Sequence, residues 1–551
     1  MNRLAEAAEQ PFDAIIIGGG IAGAGCAREL ALRGIRVALV EKSDFASGTT
    51  SKSSKLIHGG LRYLELFDFA LVRESLRERE LLRRLAPHLI RPLPFLVPVY
   101  RGGTRRLIKV RIGMRLYDLL TPAQSAQRSR TLSTNQALSL EPSLAPGDLL
   151  GAGYYIDDLL LFPERLCLEN VLSAHRLGAR VFNYTQVEEI LPLKNGLREL
   201  VVRDLLTREP SKLAGRLIIN AAGPWVDQIR AMAGVEDRRG RLIRSTKGIH
   251  ILLPRMTDHA IYLSAKDDRM LFVIPWREFS LVGTTDTDFE GDPDRCWATA
   301  DEVGYLLGET RRALSDPRVS EDTIAYTYAG VRPLSWEAGK PASKVSRQHR
   351  MVSEGPRKEI LSITGTKLTC YRSLAQHVGE RVVAQLGRGG PSKTTRLALD
   401  GSDEEAGQLE ARAWMDVGDE IGASGLTRDQ LEYVVELYGR NYRAVLSLAR
   451  ALPDGAARLC DQNPDIVAQL HHAVAHELTC SLQDFLLRRS GIGQSACQGM
   501  DCAPGIAGRM ATLLGWSARR LEAELSAYQD HVERNLRFRT RKIGTSRSEA
   551  Q

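Results

Sequence analysis

The segment that most constrains the fold is residues 13–42, DAIIIGGGIAGAGCARELALRGIRVALVEK. A short apolar run is followed by a glycine cluster, a stretch of helical character and a second apolar run that ends at Glu41. Gly18, Gly20 and Gly23 have the G-x-G-x-x-G spacing, which permits a tight turn, close approach of a pyrophosphate and close packing of helix on strand. Strand, glycines, helix, strand and acid in this order predict a βαβ unit that binds a dinucleotide.

The size of the chain allows two or three domains. Its 551 residues, with 43% hydrophobic and 26% charged residues, have the composition of a soluble globular protein. No apolar run reaches the roughly eighteen residues of a membrane-spanning helix, and the N-terminus lacks the apolar core of a secretory signal. The eight cysteines are scattered along the chain, which suits a reducing compartment, so we expect cytoplasmic residence.

The formal net charge of +8 is moderate for a chain of this size. It is compatible with anionic substrates or with an anionic membrane surface, but it requires neither. Only 6% of the residues are aromatic, and no motif of the common nucleic-acid-binding modules is present. We therefore expect no nucleic-acid partner.

Beyond the first βαβ unit, the pattern changes several times. Residues 67–86 have apolar residues at helical spacing and predict an amphipathic surface helix. Residues 180–203 predict strands around a turn at Asn195-Gly196, residues 216–225 a buried strand, and residues 249–285 several short strands. Prolines interrupt the stretch that follows this helix, at positions 87, 92, 94 and 98.

Composition also suggests where the chain divides. The glycine-rich residues 387–394 are a candidate linker, and residues 405–538 are dominated by helical periodicity. We therefore predict one region over residues 1–390, a separate helical domain over residues 395–540, and a disordered polar tail over residues 541–551.

The first glycine motif alone does not distinguish a nicotinamide cofactor from FAD. FAD is long, and a protein that holds it permanently grips it at several points. Three glycine-containing strand ends are available, at residues 18–23, 221–223 and 365–367. Because strand ends of a doubly wound sheet converge on one crevice, this arrangement favours FAD.

Six segments carry a resemblance to a known family: SSKLIHGGLRYLE (residues 53–65), NAAGPWVD (220–227), KGIHILLP (247–254), GTTDTDFEGDP (283–293), YAGVRPL (328–334) and GTKLTCYR (365–372). In order and spacing the chain resembles the FAD-dependent glycerol-3-phosphate dehydrogenases from about residue 12 to about residue 375. The resemblance implies an α/β fold, in which a doubly wound, glutathione-reductase-like Rossmann domain for FAD is interleaved with an antiparallel-sheet substrate domain. It also implies oxidation of a phosphorylated polyol, sn-glycerol 3-phosphate, with electrons passed to a membrane quinone.

The expected catalytic residues are His250 and Arg332. An imidazole, with an ordinary pKa of about 6.5, is matched to accepting the hydroxyl proton near neutrality. The resemblance places Arg332 over the junction of flavin and substrate, where a positive charge would stabilise the developing alkoxide. It also implies the substrate-binding residues, which are Arg62, Tyr63, Thr285, Asp286 and Lys367.

The expected FAD-binding residues lie in all the glycine-rich segments and in the strand around residue 187. Lys367, on a glycine turn, is expected at phosphate, flavin or both. The full set is Gly18, Gly19, Gly20, Gly23, Glu41, Lys42, Thr50, Ser53, Ser54, Lys55, Leu56, His58, Gly59, Gly60, Val187, Ala222, Gly223, Gly365, Lys367 and Leu368.

Residues 101–120, RGGTRRLIKVRIGMRLYDLL, interleave basic and apolar residues. A basic amphipathic stretch without a spanning run is typical of a segment that lies on a membrane surface, although a surface helix packed on its own domain has the same pattern. With the family resemblance, it predicts peripheral association with the inner face of the cell membrane.

Cys497 and Cys502 resemble the end of an iron–sulfur domain of anaerobic relatives, but single cysteines, Cys460 and Cys480, replace the upstream pair. Since such a cluster takes four thiolates, we expect a degenerate remnant and no metal.

Three functional alternatives stay open at this point. One is a glycerol-3-phosphate oxidase that passes electrons to oxygen and makes peroxide. Another is an enzyme of the same fold that oxidises a 2-hydroxy acid or an amine. The third is a non-catalytic flavin-binding protein that associates with membrane or RNA. The oligomeric state, including a homodimer, is also left open.

Overall fold

A computed structural model describes residues 4, 6, 9–103, 105–122, 128–235, 240–340, 345–365, 367–399 and 425–539. The first βαβ unit forms as expected, and its two strands lie in the middle of a mainly parallel sheet. Both strands are buried along their whole length, as is usual where helices cover both faces of a sheet. The parallel strands, in spatial order, are Ile360–Thr364, Pro210–Asn220, Phe12–Ile17, Val37–Val40 and Arg180–Phe182.

Antiparallel strands extend this sheet. Arg350–Glu354 pairs at one edge, and the hairpin of Thr185–Ile190 and Arg198–Asp204 joins the start of Pro210–Asn220. The predicted hairpin turn is confirmed, because Asn195 and Gly196 both adopt positive φ, of 51° and 78°. The helix Ile21–Leu32 packs against the helices Pro163–Arg176 and Tyr371–Leu386.

A second sheet of ten strands is mostly antiparallel. Its longest strands are Ile90–Tyr100, Leu149–Leu160, Ile243–Pro254 and Tyr326–Ser335, and its shorter strands are Leu56–Ile57, Arg130–Leu132, Ala260–Ser264, Met270–Trp276, Phe279–Gly283 and Thr287–Asp288. Ile243–Pro254 pairs with Tyr326–Ser335 so that Thr246 faces Arg332 and His250 faces Tyr328. Because residues four apart in a strand share a face, this register brings the two predicted catalytic residues to the same face of the sheet.

Pro87 lies in a turn after the helix Phe69–Leu85, as expected, but the other three prolines do not interrupt regular structure. Pro92, Pro94 and Pro98 lie inside the strand Ile90–Tyr100, which pairs along its length with Leu149–Leu160. All three occupy even positions, so their missing N–H groups fall on one side of the strand. The other side keeps its donors for the paired strand.

Helices cover the sheets in the first part of the chain. The amphipathic helix predicted over residues 67–86 is confirmed as Phe69–Leu85. The further helices are Arg62–Glu65, Leu107–Leu120, Thr134–Leu140, Val226–Met232 and Ala300–Ala313. Among the described residues, no helix has the length and apolar character needed to cross a bilayer.

The C-terminal region is helical, as expected, where it is described. Its helices are Arg428–Tyr438, Tyr442–Ala451, Val467–His476, Leu482–Asp484, Ala503–Leu514 and Ala518–Asn535, with a small hairpin of Arg458–Cys460 and Asn463–Ile466. Residues 400–424 and the predicted tail lie outside the described residues. Arg488 and Arg489 reach back to the buried carboxylate of Asp44, which follows the strand Val37–Val40. The fold class expected from sequence is confirmed, while the division at residues 390–395 stays a prediction.

Candidate active site

A cavity of about 740 Å³ lies where the two sheets and the C-terminal helices meet. Its walls include the carboxyl ends of the parallel strands, the face of the antiparallel sheet that carries His250, and residues of the last helix. Ligands of open α/β sheets bind at this edge of the strands. Most of the residues predicted from sequence line it, namely Gly18, Gly20, Glu41, Lys42, Thr50, Ser53, Ser54, Lys55, His58, Gly60, Arg62, Tyr63, Val187, Ala222, Gly223, His250, Arg332, Gly365, Lys367 and Leu368.

The glycines at one end are required by close contacts. Gly18 has φ +108°, and a Cβ at this position would lie 2.6 Å from the Ala221 carbonyl oxygen. A Cβ at Gly23 would lie 1.9 Å from the Gly18 carbonyl oxygen. The helix Ile21–Leu32 follows Gly20 and has no acid in its first turn, and its Ile21 N–H donates to Thr50 Oγ1 at 3.0 Å. The positive end of this helix points to the glycine-lined end of the cavity, which fits a pyrophosphate.

Glu41 and Lys42, which follow the strand Val37–Val40, lie beside this end of the cavity. Glu41 accepts hydrogen bonds from the backbone N–H groups of Gly19 (2.6 Å) and Ser43 (2.9 Å). Burial raises the pKa of Glu41 above its ordinary value, although these two bonds oppose the shift. Lys42 Nζ lies 4.0 Å from the ring centroid of Trp225 and 2.5 Å from Asp294. An acid, a base and an aromatic face suit a ribose and an adenine.

His250 occupies the wall formed by the antiparallel sheet and is only 2% exposed. Its Nε2 lies 2.8 Å from Ser54 Oγ, and its ring stacks on Tyr328 at a centroid distance of 4.8 Å. Its buried Nδ1 has no hydrogen-bond partner among the described residues. Burial, and then the charges of Arg332 and Lys55, hold the pKa of His250 well below 6.5. The imidazole is therefore neutral at physiological pH.

Arg332 is held by three acceptors on the neighbouring strand end. Its guanidinium donates to Asp286 Oδ1 (3.0 Å), Thr284 Oγ1 (2.6 Å) and the Thr285 carbonyl (2.9 Å). Burial lowers the pKa of Arg332 to about 10, so the side chain keeps its charge at neutral pH. Arg347 Nη2 lies 3.5 Å from the other oxygen of Asp286, which places a second guanidinium in this group.

Lys367 links the loop around residue 58 to this cationic group. Its Nζ donates to the His58 carbonyl (2.6 Å) and to Ser75 Oγ (2.9 Å), and it lies 5.1 Å from the ring centroid of Tyr63. Burial lowers the pKa of Lys367 to about 8. Arg62 lines the same part of the cavity, so four basic side chains surround Tyr63.

Six predicted residues support the cavity without lining it. Thr285 and Asp286 hold Arg332, and Gly19 donates to Glu41. Leu56 is buried in a short strand. Gly23 and Gly59 allow close packing, since a Cβ at Gly59 would lie 2.2 Å from Tyr117 Oη.

Sequence reasoning missed several residues that line the cavity. Arg347 lies in the segment SRQHR, which has no motif, and Tyr328 lies in a quoted segment but was not singled out. Arg488, His531 and Arg534 come from the C-terminal region, where nothing in the sequence pointed to the cavity.

Comparisons with known proteins agree with this geometry. A family model described as FAD dependent oxidoreductase matches residues 13–355, and one described as the C-terminal domain of alpha-glycerophosphate oxidase matches residues 392–521. A glycerol-3-phosphate dehydrogenase of Synechocystis is 36% identical over 554 residues, covering 97% of this chain and 99% of the relative. An aerobic glycerol-3-phosphate dehydrogenase of Bacillus subtilis is 33% identical, covering 89% of this chain and 88% of the relative.

A solved structure shares the whole fold. The glycerol-3-phosphate dehydrogenase of Bacillus halodurans, complexed with FAD, superposes with a TM-score of 0.80 at 26% identity and covers 97% of each chain. The fold and the glycine-lined cavity are those of an FAD-dependent oxidoreductase. Within that class, the chain belongs to the FAD-dependent glycerol-3-phosphate dehydrogenase family.

The residues present fit FAD. The start of the helix Ile21–Leu32, which has no acid in its first turn, suits the pyrophosphate, and Glu41 suits the ribose. When bound, FAD supplies a hydride acceptor.

Proposed function

We propose that this enzyme oxidises the secondary hydroxyl of sn-glycerol 3-phosphate to give dihydroxyacetone phosphate, with FAD as hydride acceptor and a membrane quinone as the final acceptor. The observation that carries the proposal is the group of basic side chains around Tyr63, beside the wall that holds His250. Its members are Arg62, Arg332, Arg347 and Lys367.

A phosphate group near −2 charge matches this group better than a carboxylate does. One guanidinium group can bind two phosphate oxygens at once. Asp286 carries one negative charge and so neutralises only part of the charge of Arg332 and Arg347. The site therefore keeps a net positive charge for the substrate. The Synechocystis and Bacillus relatives are named for the same substrate, which supports this choice.

His250 is the proposed proton acceptor. A neutral imidazole in the cavity wall can take the hydroxyl proton as the hydride leaves carbon, and contact with Ser54 Oγ at 2.8 Å fixes the ring. Arg332 stays charged and stabilises the negative charge that develops on the substrate oxygen.

The decisive experiment follows the flavin spectrum. Anaerobic addition of glycerol 3-phosphate to the purified yellow enzyme should bleach the flavin, whereas a 2-hydroxy acid or an amine should not. No bleaching with any of these substrates would favour a non-catalytic flavin protein.

The electron acceptor needs a separate measurement. The family model that matches residues 392–521 is described as a domain of an oxidase, so oxygen is the second candidate for the electron acceptor. We expect stopped-flow reoxidation of the reduced enzyme to be faster with a soluble quinone than with air-level oxygen. Faster reoxidation by oxygen, with stoichiometric peroxide, would identify an oxidase instead.

An alkaline limit of activity should come from Lys367. Its pKa of about 8 means that the cavity loses a positive charge as pH rises through 8. We expect kcat/KM for glycerol 3-phosphate to fall above about pH 8, and Lys367→Arg to extend the plateau by a unit or more, because guanidinium stays protonated. A steady-state pH profile tests this, and an unchanged alkaline limb in Lys367→Arg would assign the limb to another group.

We also propose that the enzyme is cytoplasmic and binds the inner face of the cell membrane through the helix Leu107–Leu120. Val110, Met114 and Tyr117 turn inward and are buried. On the outer face Ile112 is 62% exposed and Leu119 is 80% exposed, and exposed arginines and a lysine accompany them. Such a surface pairs apolar insertion with attraction to anionic headgroups.

A neighbouring loop extends this surface. The short helix Arg62–Glu65 and the helix Phe69–Leu85 pack against Leu107–Leu120. Between them Phe67 is 79% exposed, and Leu66 and Phe69 are exposed as well. Because large apolar side chains are rarely grouped on the surface of a soluble monomer, this loop supports the same proposal.

Replacing Ile112 and Leu119 together with Glu should lower binding to vesicles with anionic lipids by about tenfold or more, since each change removes insertion and adds repulsion. Vesicle flotation measures the bound fraction. Leu206→Glu, at an exposed residue of a distant hairpin, is the control and should bind normally. Equal binding by the double variant and the control would remove this helix from the membrane surface.

The two family matches end and begin at residues 355 and 392, which supports the proposed division of the chain near residues 390–395.

A further inference from the structure

Three cysteines that are distant in sequence meet in the C-terminal region. Cys460 Sγ lies 3.7 Å from Cys497 Sγ. Cys460, Cys502 and Asp501 each offer one ligand atom, and these atoms all lie within 4.8 Å of one another. The three cysteines are free thiols. Thiols and a carboxylate therefore converge from two segments of the chain that are more than thirty residues apart.

The sulfur separation matches a tetrahedral metal. Two thiolates bound to one Zn²⁺ at about 2.3 Å lie about 3.8 Å apart at a tetrahedral angle. A disulfide would need about 2.05 Å. Soft thiolate ligands in a closed group of four select zinc among the common divalent ions.

Hydrogen-bond donors surround the sulfurs. Asn463 Nδ2 lies 3.2 Å from Cys460 Sγ and 3.7 Å from Cys497 Sγ. The Gly499 backbone N–H donates to Cys497 Sγ at 3.4 Å. Donors aimed at thiolates orient them and stabilise their charge, as outer groups do at metal centres.

The backbone brings Cys460, Asp501 and Cys502 together and places Cys497 next to Cys460. Cys460 ends the first strand of the small hairpin, directly opposite Asn463. Gln498 and Gly499 have positive φ, of 45° and 67°, and turn the chain between Cys497 and Cys502. Cys502 then occupies the position just before the helix Ala503–Leu514.

We propose that Cys460, Cys497, Cys502 and Asp501 bind one zinc ion that ties the hairpin to this helix. The expectation of no metal was based on the four thiolates of an iron–sulfur cluster, and Cys480 does not supply a fourth. Its Sγ instead contacts the Leu478 carbonyl and Asn183. A carboxylate completes the tetrahedron in its place.

Metal analysis of the full-length enzyme, purified with reductant, tests the proposal. We expect about one zinc per chain, and less than a tenth of that in Cys460→Ser. Asp501→Asn changes an exposed side chain and should keep the fold while weakening zinc retention at least tenfold against a chelator dye. Cys480→Ser is the matched control and should keep the zinc.

Thiol alkylation gives a second readout that does not depend on activity. Zinc should protect three thiols until a chelator is added, and Co²⁺ exchange should give the strong visible bands of tetrahedral thiolate coordination. Wild-type enzyme that is free of metal and gains no protection when zinc is added would overturn the proposal. Iron with a bleachable visible spectrum, or a Cys460–Cys497 disulfide found by mass spectrometry, would overturn it as well.

Discussion

Replacing Arg332 with Met should slow flavin reduction by glycerol 3-phosphate about 100-fold or more, while the yellow cofactor stays bound. A charged donor aimed at a developing oxyanion is worth roughly 3–4 kcal/mol in a water-excluded site. Arg332 is partly buried, still charged at neutral pH, and held by Asp286 and Thr284 at 3.0 and 2.6 Å. Anaerobic stopped-flow at 450 nm or so, over a range of substrate concentration, separates the reduction step from binding.

Arg350→Met is the matched control, because Arg350 lies in the same part of the chain but is exposed and pairs with Glu337. It should reduce at the wild-type rate. If Arg332→Met loses its flavin instead, the guanidinium supports the fold of the site and not the chemistry. A normal reduction rate with bound flavin would exclude the proposed role.

Gly23→Val should give a colourless protein that takes up no FAD even in excess. Even a single Cβ at this position would lie 1.9 Å from the Gly18 carbonyl oxygen, which is backbone and cannot rotate away. The helix Ile21–Leu32 must then move away from the strand before it, and its N-terminus no longer points at the pyrophosphate. Absorbance of the purified protein and FAD titration by fluorescence measure the loss.

Gly304→Val serves as the control for the general cost of a β-branched residue in a helix, because a Cβ at Gly304 meets nothing within 4 Å. It should bind FAD normally. Retention of FAD by Gly23→Val would show that the helix adjusts without affecting the cofactor.

Local patterns in the sequence were sufficient for much of the fold. The first βαβ unit, the turn at Asn195-Gly196 and the helix Phe69–Leu85 each lie within one continuous stretch of the chain, and all three formed as expected. The strand Ile90–Tyr100 was missed because its prolines disfavour strands unless a long partner occupies the opposite side. That partner lies about sixty residues further on, beyond the reach of a local pattern.

The candidate site, like the fold, was predictable from sequence only where its residues lie in short continuous motifs. Motif residues such as Gly18, Glu41 and Lys367 line the cavity, since motifs are short and continuous. Arg347 was not foreseen because its importance depends on a contact with Asp286, 61 residues away. The depressed pKa of His250 was also beyond sequence reasoning, because it comes from burial and from the charges of Arg332 and Lys55.

The buried pairing of Asp44 with Arg488 and Arg489 bears on how the enzyme is made. During synthesis, Asp44 leaves the ribosome more than 400 residues before either arginine. Until they arrive, its carboxylate cannot be buried without a large desolvation penalty. Since Arg488 and Arg534 also form part of the cavity wall, a nascent chain cannot complete the cofactor pocket. We therefore expect FAD to be captured stably only after translation ends, and premature stop codons to give apoprotein that the cell degrades.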